Sequence, residues 1–481
     1  MKKLFLSLTA ILLSLALSAC SAENFEMGGA DNGGAMLDAP SGEGGGTGAL
    51  GGADARDEVA GDYDYGAFDG AYEMAAGEAM GGAYDDYAIP GEYAEKPDEY
   101  WENTIPAAAG TLTAGEWIDN DHITFWNALH QIEGTGWSEY SALWSRAYTA
   151  RTFVTVTYNG GPVENATVTV KNDRNDTLWT AKTDNEGKAY LFYSPSLLEG
   201  ELTVTAEYSE YKEKGTVTIT SENYTSCSID LTPIETVYNE HRTDSLDLML
   251  VVDTTGSMAD ELSYLQKELE SVITRAVSDN GNIPVRLSVN FYRDDGDEYV
   301  VRSFPFTENI SQAIADLNAQ IADGGGDMPE KVNAALYDAI NDHDWNENST
   351  KLLFIILDAP PHSDDAKAVE EMNTLTEQAA EKGIRIIPIL ASGGDKEAEY
   401  LMRDMAMKTG GTYLFLTDHS GVSAGGHIQP TVGDYQVEKL NDLMVKVINR
   451  YLAFNTTPAA YTDEPVELKE DPDPATTQYE Q

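Results

Sequence analysis

The stretch "DTTGSMADEL" at residues 253–262 directly follows "SLDLMLVV". Asp253, Thr255 and Ser257 alternate along it, so a turning backbone can aim one carboxylate and two hydroxyls inward. Two later stretches offer the same kind of atom. In "DGGGDMPE" at 323–330, three glycines let the backbone approach closely, and Asp327 stands at the entrance to a helical pattern. In "ILDAPPH" at 356–362, Asp358 ends an apolar run. All of these donors are hard oxygens, the set preferred by Mg²⁺, Ca²⁺ or Mn²⁺ over Zn²⁺. The bland reading of D-x-T-x-S is a helix cap, since Ser and Asp satisfy free backbone N–H groups.

The elements that must position these residues alternate over 243–455. "SLDLMLVVD", "IPVRLSVNFYRD", "EYVVRSFPF", "KLLFIILD", "IRIIPIL" and "GTYLFL" read as strands. Between them, "ADELSYLQKELESVITRAV" places Leu262, Leu265, Leu269, Val272, Ile273 and Ala276 on one helical face. "PEKVNAALYDAINDH" reads as a helix with Pro329 near its first turn. Two more helices close at Gly383 and Gly410, and "YQVEKLNDLMVKVINRYL" is the last. Strands alternating with helices predict a doubly wound α/β fold, a mostly parallel sheet with helices on both faces. Ligands bind such sheets at the carboxyl ends of the strands, where all three oxygen-rich stretches fall.

This order of elements, with D-x-T-x-S after the first strand, resembles a von Willebrand factor type A domain over about residues 243–455. Such domains carry a metal-ion-dependent adhesion site built from D-x-S-x-S, a Thr from a second loop and an Asp from a third. Asp253, Thr255 and Ser257 match the first motif with Thr in place of its first Ser, and Asp358 matches the third-loop Asp. The second loop departs: "GGGD" stands where many members have "GGGT", so Asp327 aligns with the usual Thr. The resemblance implies a divalent cation, Mg²⁺ first with Ca²⁺ or Mn²⁺ as alternatives. One coordination position would be kept for an acidic residue of a protein ligand, so the implied activity is binding or adhesion without covalent chemistry. A structural module of the cell envelope that lacks metal is the second reading.

A rival from another class is an enzyme. "DTTGS" is superficially similar to the "DKTGT" loop of aspartyl-phosphate enzymes, with Asp253 as nucleophile. That chemistry wants a basic residue to hold phosphate. Arg293 is the only basic candidate near a strand's carboxyl end, Lys351 lies at the start of its strand, and no P-loop signature occurs. Smaller signals have local explanations. "YRDDGDEYV" at 292–300 lacks EF-hand spacing and reads as a hairpin turn. His362 is a candidate ligand beside Asp358, against a local hydrogen bond. Met402, Met405 and Met407 read as core packing.

The rest of the 481-residue chain is uneven. "MKKLFLSLTAILLSLALSAC" has two lysines, an apolar core and small residues before Cys20, a secretory signal over 1–19. Its ending, "LSAC", resembles the lipobox of bacterial lipoproteins, which implies cleavage before Cys20, a lipid on that thiol and tethering to a bacterial membrane outside the cytoplasm. Residues 20–100, rich in Gly, Ala, Tyr and acids, have no period and read as a disordered, self-repelling tether. Residues 101–150 hold five of the seven tryptophans and read as an aromatic docking segment. Over 151–232, short runs rich in Val, Thr and Tyr separated by turns predict a small antiparallel β-sandwich. Its words "GGPVENATVTV" and "AKTDNEGKAYL" resemble carboxypeptidase-regulatory-like or bacterial immunoglobulin-like modules, a spacer or docking unit. Residues 456–481 read as a disordered tail, and Cys227 as a small buried apolar residue. The formal charge of −52, from 82 acids against 30 Lys and Arg, sets nucleic acid aside as a partner and favours cations.

Overall fold

The computed structural model describes residues 112–132, 136–144, 150–194, 201–208, 211–218, 224–231, 243–326, 328–417 and 427–466. The expected signal segment and tether, Cys20 and Asp327 lie outside the described residues. Among the described residues, no helix is long and apolar enough to cross a membrane.

The aromatic stretch forms β1 (Thr113–Trp117), α1 (Ile123–Leu129) and α2 (Trp137–Trp144). A β-sandwich follows: β2 (Ala150–Tyr158), β3 (Gly161–Pro162), β4 (Thr167–Lys171), β5 (Thr177–Lys182), β6 (Lys188–Tyr193), β7 (Glu201–Tyr208), β8 (Tyr211–Thr218) and β9 (Tyr224–Asp230). One sheet runs β3-β2-β6 with β9 on β2, the other β5-β4-β7-β8. The alternation read from sequence is visible in β4, where Val168 and Val170 are buried and Thr167, Thr169 and Lys171 are half-buried. One pairing departs from the expected antiparallel pattern: β9 runs parallel to β2. Cys227, on β9, is buried as expected.

The α/β domain comprises β10 (Leu246–Asp253), α3 (Ala259–Asp279), β11 (Val285–Tyr292), β12 (Val301–Arg302), α4 (Ile310–Asn318) and α5 (Val332–Tyr337). It continues with β13 (Thr350–Leu357), α6 (Ala366–Lys382), β14 (Ile384–Leu390), α7 (Lys396–Thr409), β15 (Tyr413–Thr417), β16 (Glu438–Lys439) and α8 (Leu440–Leu452). The sheet order is β12-β11-β10-β13-β14-β15-β1-β16, parallel from β11 to β15 and antiparallel at both edges. Every residue of β10, β13 and β14 is buried, because helices cover both faces. The six α3 residues on the predicted apolar stripe are all buried. Gly383 and Gly410 close α6 and α7 at φ 73° and 69°, left-handed positions that glycine takes without a Cβ clash. One sheet face packs on α3, α4 and α8. The other packs on α5, α6 and α7 in a core that runs on into the sandwich and the N-terminal segment.

That N-terminal segment is more than a docked appendage. β1 joins the sheet of the α/β domain, pairing antiparallel with β15 from Thr113↔Thr417 to Trp117↔Tyr413. A buried clamp fixes the residues after it. The Arg403 guanidinium on α7 donates to both Asp119 oxygens, at 3.0 and 2.6 Å, and to Glu399 at 3.4 Å. Trp126 and Trp137 pack around Tyr400 and Arg403, the guanidinium lying 5.2 and 5.0 Å from the two rings.

Three further expectations shift. Pro329 precedes α5 instead of opening it, because Glu330 stays extended in a bridge with Pro361. The strand expected at "EYVVRSFPF" shrinks to Val301–Arg302, with a lone bridge at Leu287↔Thr307. Within the expected disordered tail, residues 456–466 pack on the fold: Ala459 bonds Glu186, Asp463 bonds Thr124 and Tyr461 lies against Phe153.

Candidate metal centre

The order of strands reverses at β10, which has β11 on one side and β13 on the other, so a crevice opens at their carboxyl ends. Asp253 is the last residue of β10, and Asp358 directly follows β13. The first loop turns tightly on Asp253: its Oδ1 accepts from the Thr255 backbone N–H and from the Thr255 hydroxyl, both at 2.8 Å. The Thr255 and Ser257 hydroxyls are 3.4 Å apart, and the Ser257 hydroxyl helps ease the charge on Asp358. The structure therefore brings Asp253, Thr255, Ser257 and Asp358 together. It also shows why D-x-T-x-S is not a simple cap here: no side chain of this loop caps the helical turn that follows or α3.

The glycine loop lies across the first. Gly256 N–H donates to the Gly324 carbonyl at 3.2 Å, and Asp323 N–H to the Thr254 carbonyl at 3.0 Å. Gly325 has φ +71°, and a Cβ there would stand 3.1 Å from Thr255 Cβ and 3.3 Å from Glu330 Oε1. Glycine is thus required both for the conformation and for the approach. The acidic turn between β11 and β12 is a hairpin connection, as expected, and it grips the glycine loop through Asp297, which accepts from Gly325 N–H. His362 lies 2.8 Å from Asp294 Oδ1, so its partner is a carboxylate of the turn between β11 and β12, 68 residues away, and not the local one expected. Met402, Met405 and Met407 are buried in the core.

The sequence reading missed Glu330. Its backbone N–H bonds the Pro360 carbonyl at 3.0 Å, which joins the second loop to the third and turns the carboxylate inward, 3 % exposed. The available signal was an acid closing the quoted "DGGGDMPE", but it sat where a helix start was expected.

The electrostatics are one-sided. Burial first, then the Asp358 charge, push Asp253 up to about 7, against the lowering by Thr255. Burial, then Asp253, Asp294, Asp358 and Asp297, push Glu330 up to about 9. Burial raises Asp358 too. Asp253 Oδ2 and Glu330 Oε2 are buried with no hydrogen-bond partner. The Tyr292 hydroxyl eases the Asp253 charge by proximity but is not in hydrogen-bonding geometry with it. Buried carboxylate oxygens ordinarily have partners, and such groups cost several kcal/mol without one, on the order of 1–3 even when neutral. Two orphaned oxygens beside two hydroxyls fit a hard divalent cation. Among the described residues, no three His, Cys, Asp or Glu side chains form a metal-holding group by themselves. The donor set is mixed, carboxylate with hydroxyl.

The phosphoryl-transfer reading lacks its cation among the described residues. Arg293 is tied to the Thr254 and Ile321 carbonyls at 3.1 and 2.8 Å, where it staples the first loop to the second. Lys351 sits at the amino end of β13, bonded to the Glu347 and Ser349 carbonyls.

Comparison with known proteins places the fold. Residues 247–426 match the von Willebrand factor A domain, and residues 151–232 match the carboxypeptidase regulatory-like domain. The chain thus carries both domains in the expected order, and its von Willebrand factor A domain supports a role as a protein-interaction module. A protein of Acanthamoeba polyphaga mimivirus, named as an ariadne-like RING finger protein, is 34% identical over 117 residues. The match spans 24% of this chain and only 11% of that protein. Among solved structures, BatB from Bacteroides thetaiotaomicron is similar at 14% identity and TM-score 0.30, over 43% of this chain and 98% of that one. The pilus adhesin SpaC from Lactobacillus rhamnosus GG, in an open conformation, is similar at 13% identity and TM-score 0.31, over 52% of this chain and 32% of that one.

Proposed function

We propose that the von Willebrand factor A domain of this chain binds one divalent cation, Mg²⁺ before Ca²⁺ or Mn²⁺, and through it holds a carboxylate of a protein partner. Thr255 and Ser257 offer hydroxyl oxygens, and Asp253 and Asp358 offer carboxylates directly or through water. Asp327 and Glu330, which both follow the three glycines in the chain, are further oxygen donors in this reading. The bound ion would supply positive charge and an exchangeable coordination position, which a partner's carboxylate can take. The chain's own residues do the remainder: Asp253 orders the first loop through Thr255, and Arg293 and Asp297 fix the glycine loop over it.

The observation that carries this reading is the pair of buried, partnerless oxygens on Asp253 and Glu330. In the same reading Cys20 bears lipid and holds the protein to a bacterial membrane outside the cytoplasm. Calorimetric titration of the full chain with Mg²⁺, Ca²⁺ and Mn²⁺ tests the site. Asp253→Asn is expected to weaken binding by at least about 10–100-fold, the cost of losing a partner that acts through water, and by more if the carboxylate touches the ion directly. Unchanged affinity in that variant, or no heat with any of the three ions, leaves the domain as a module that works without metal.

A further inference from the structure

The surroundings of the candidate centre point to the chemistry of what docks there. Among the described residues, Ile321 at 74% and Met328 at 53% are the most exposed of the large apolar side chains. Both belong to the glycine loop, one on each side of the segment that lies across Thr255. Exposed apolar groups gathered at one feature mark an interaction surface far better than scattered ones.

The same face is acidic. Asp295, Glu298, Asp323 and Asp364 are exposed on the three neighbouring loops. The basic residues close by are already engaged: Lys331 pairs with Asp295 at 2.8 Å, Arg302 and Arg293 lie 3.5 and 3.8 Å from Glu298, and Arg293 is otherwise bonded to backbone carbonyls, so among the described residues Asp323 and Asp364 are the rim acids that no Lys or Arg neutralises. The negative rim therefore extends beyond the centre itself. Two buried carboxylates with partnerless oxygens lie at its middle, so this is a formed site and not a mere cluster of surface acids.

We infer that this face docks a basic, apolar segment of a partner protein, with a single carboxylate at the middle of that segment. This rests on the cation reading above and specifies the partner for it. A partner acidic throughout would meet the bound ion favourably but would be repelled by the exposed Asp323 and Asp364, an effect that reaches about one Debye length, about 8 Å at physiological salt. A segment with Lys or Arg flanking its one acid complements the rim, and an apolar side chain beside that acid covers Ile321 and Met328.

Two labelled peptides of equal length test this against the full chain in Mg²⁺ by fluorescence anisotropy. Each has one central Glu, flanked in the first by Lys, Arg and Leu and in the second by Asp and Ser. The basic, apolar peptide is expected to bind about tenfold or more tighter, with the gap narrowing as salt is raised. The double variant Ile321→Ser with Met328→Ser is expected to weaken that peptide about tenfold while its calorimetric Mg²⁺ affinity is unchanged. Equal affinity for the two peptides, or no effect of the double variant while Mg²⁺ still binds, overturns the inference. Should Mg²⁺ fail to bind, the cation reading falls on its own. The peptide preference, measured in chelator and abolished by the double variant, would then still support the docking face, and its absence would end both.

Discussion

Among the described residues, two clusters of buried acids are solved in opposite ways, one around α7 and one at the carboxyl ends of β10 and β13. Around α7, Asp119 and Glu399 are buried beside the equally buried Arg403, and Lys396 adds a 2.8 Å ion pair to Glu399. Every carboxylate there meets a cation supplied by the chain. At the carboxyl ends of β10 and β13, Asp253, Asp358 and Glu330 are as deeply buried and receive none; the neighbouring Arg293 turns its donors to backbone carbonyls instead. Burial of a charge is costly unless it is paired. The first cluster is therefore a structural joint, complete in itself, whereas the second must hold its acids protonated or, in the reading proposed above, take positive charge from a bound cation. The contrast separates a site from a staple more sharply than a count of acids in the sequence can.

The largest way to break this comparison is to remove the cation of the first cluster. Arg403→Met leaves Asp119 and Glu399 buried without it, at an expected cost of about 3–5 kcal/mol in urea or thermal unfolding. A loss below about 1 kcal/mol would mean that the clamp is not a closed ion pair at all.

The second cluster should declare itself through pH. Asp253 and Glu330 have folded-state values raised to about 7 and about 9, above the carboxylate range of an unfolded chain. Between those limits the folded state retains protons that the unfolded state has released, so these groups make stability fall as pH rises from about 5 to 9. Mg²⁺ should flatten the fall, because cation ligands must be deprotonated and binding replaces the proton. Melting temperatures of the full chain across this range, in chelator and in Mg²⁺, provide the check, with Asp253→Asn as the variant in which the slope shrinks. A slope identical in the two conditions and in the variant refutes the assignment of uncompensated acids. The smallest expected effect sharpens the contrast from the other side. Lys396 is 39% exposed, and Lys396→Met should cost no more than about 1 kcal/mol, since solvent screens its share of the clamp.

The parts of the fold legible in the sequence were those fixed by local pattern. The fully buried strands β10, β13 and β14 announced themselves as unbroken apolar runs, and α3 by its stripe from Leu262 to Ala276. Asp253, Thr255, Ser257 and Asp358 were legible because each stands beside the end of such a strand. β1 was not, since its partner β15 lies some three hundred residues away and five residues containing a glycine carry no period. Glu330 was hidden for a related reason. A Pro-Glu pair before an apolar stripe has the signature of a helix start, and only the bridge to Pro361, a contact between separate loops, turns the carboxylate into the crevice.

The early strand also alters how force would travel. β1 precedes the sandwich in the chain, yet it is laced to β15 in the sheet that ends at the candidate centre. Were a partner held at that centre as proposed, tension entering at Leu112 would pass from β1 into the sheet directly. The carboxypeptidase regulatory-like domain is inserted between two strands of that one sheet, β1 and β10, and shares the core that covers one face of it, so the line of pull runs beside the domain and not through it.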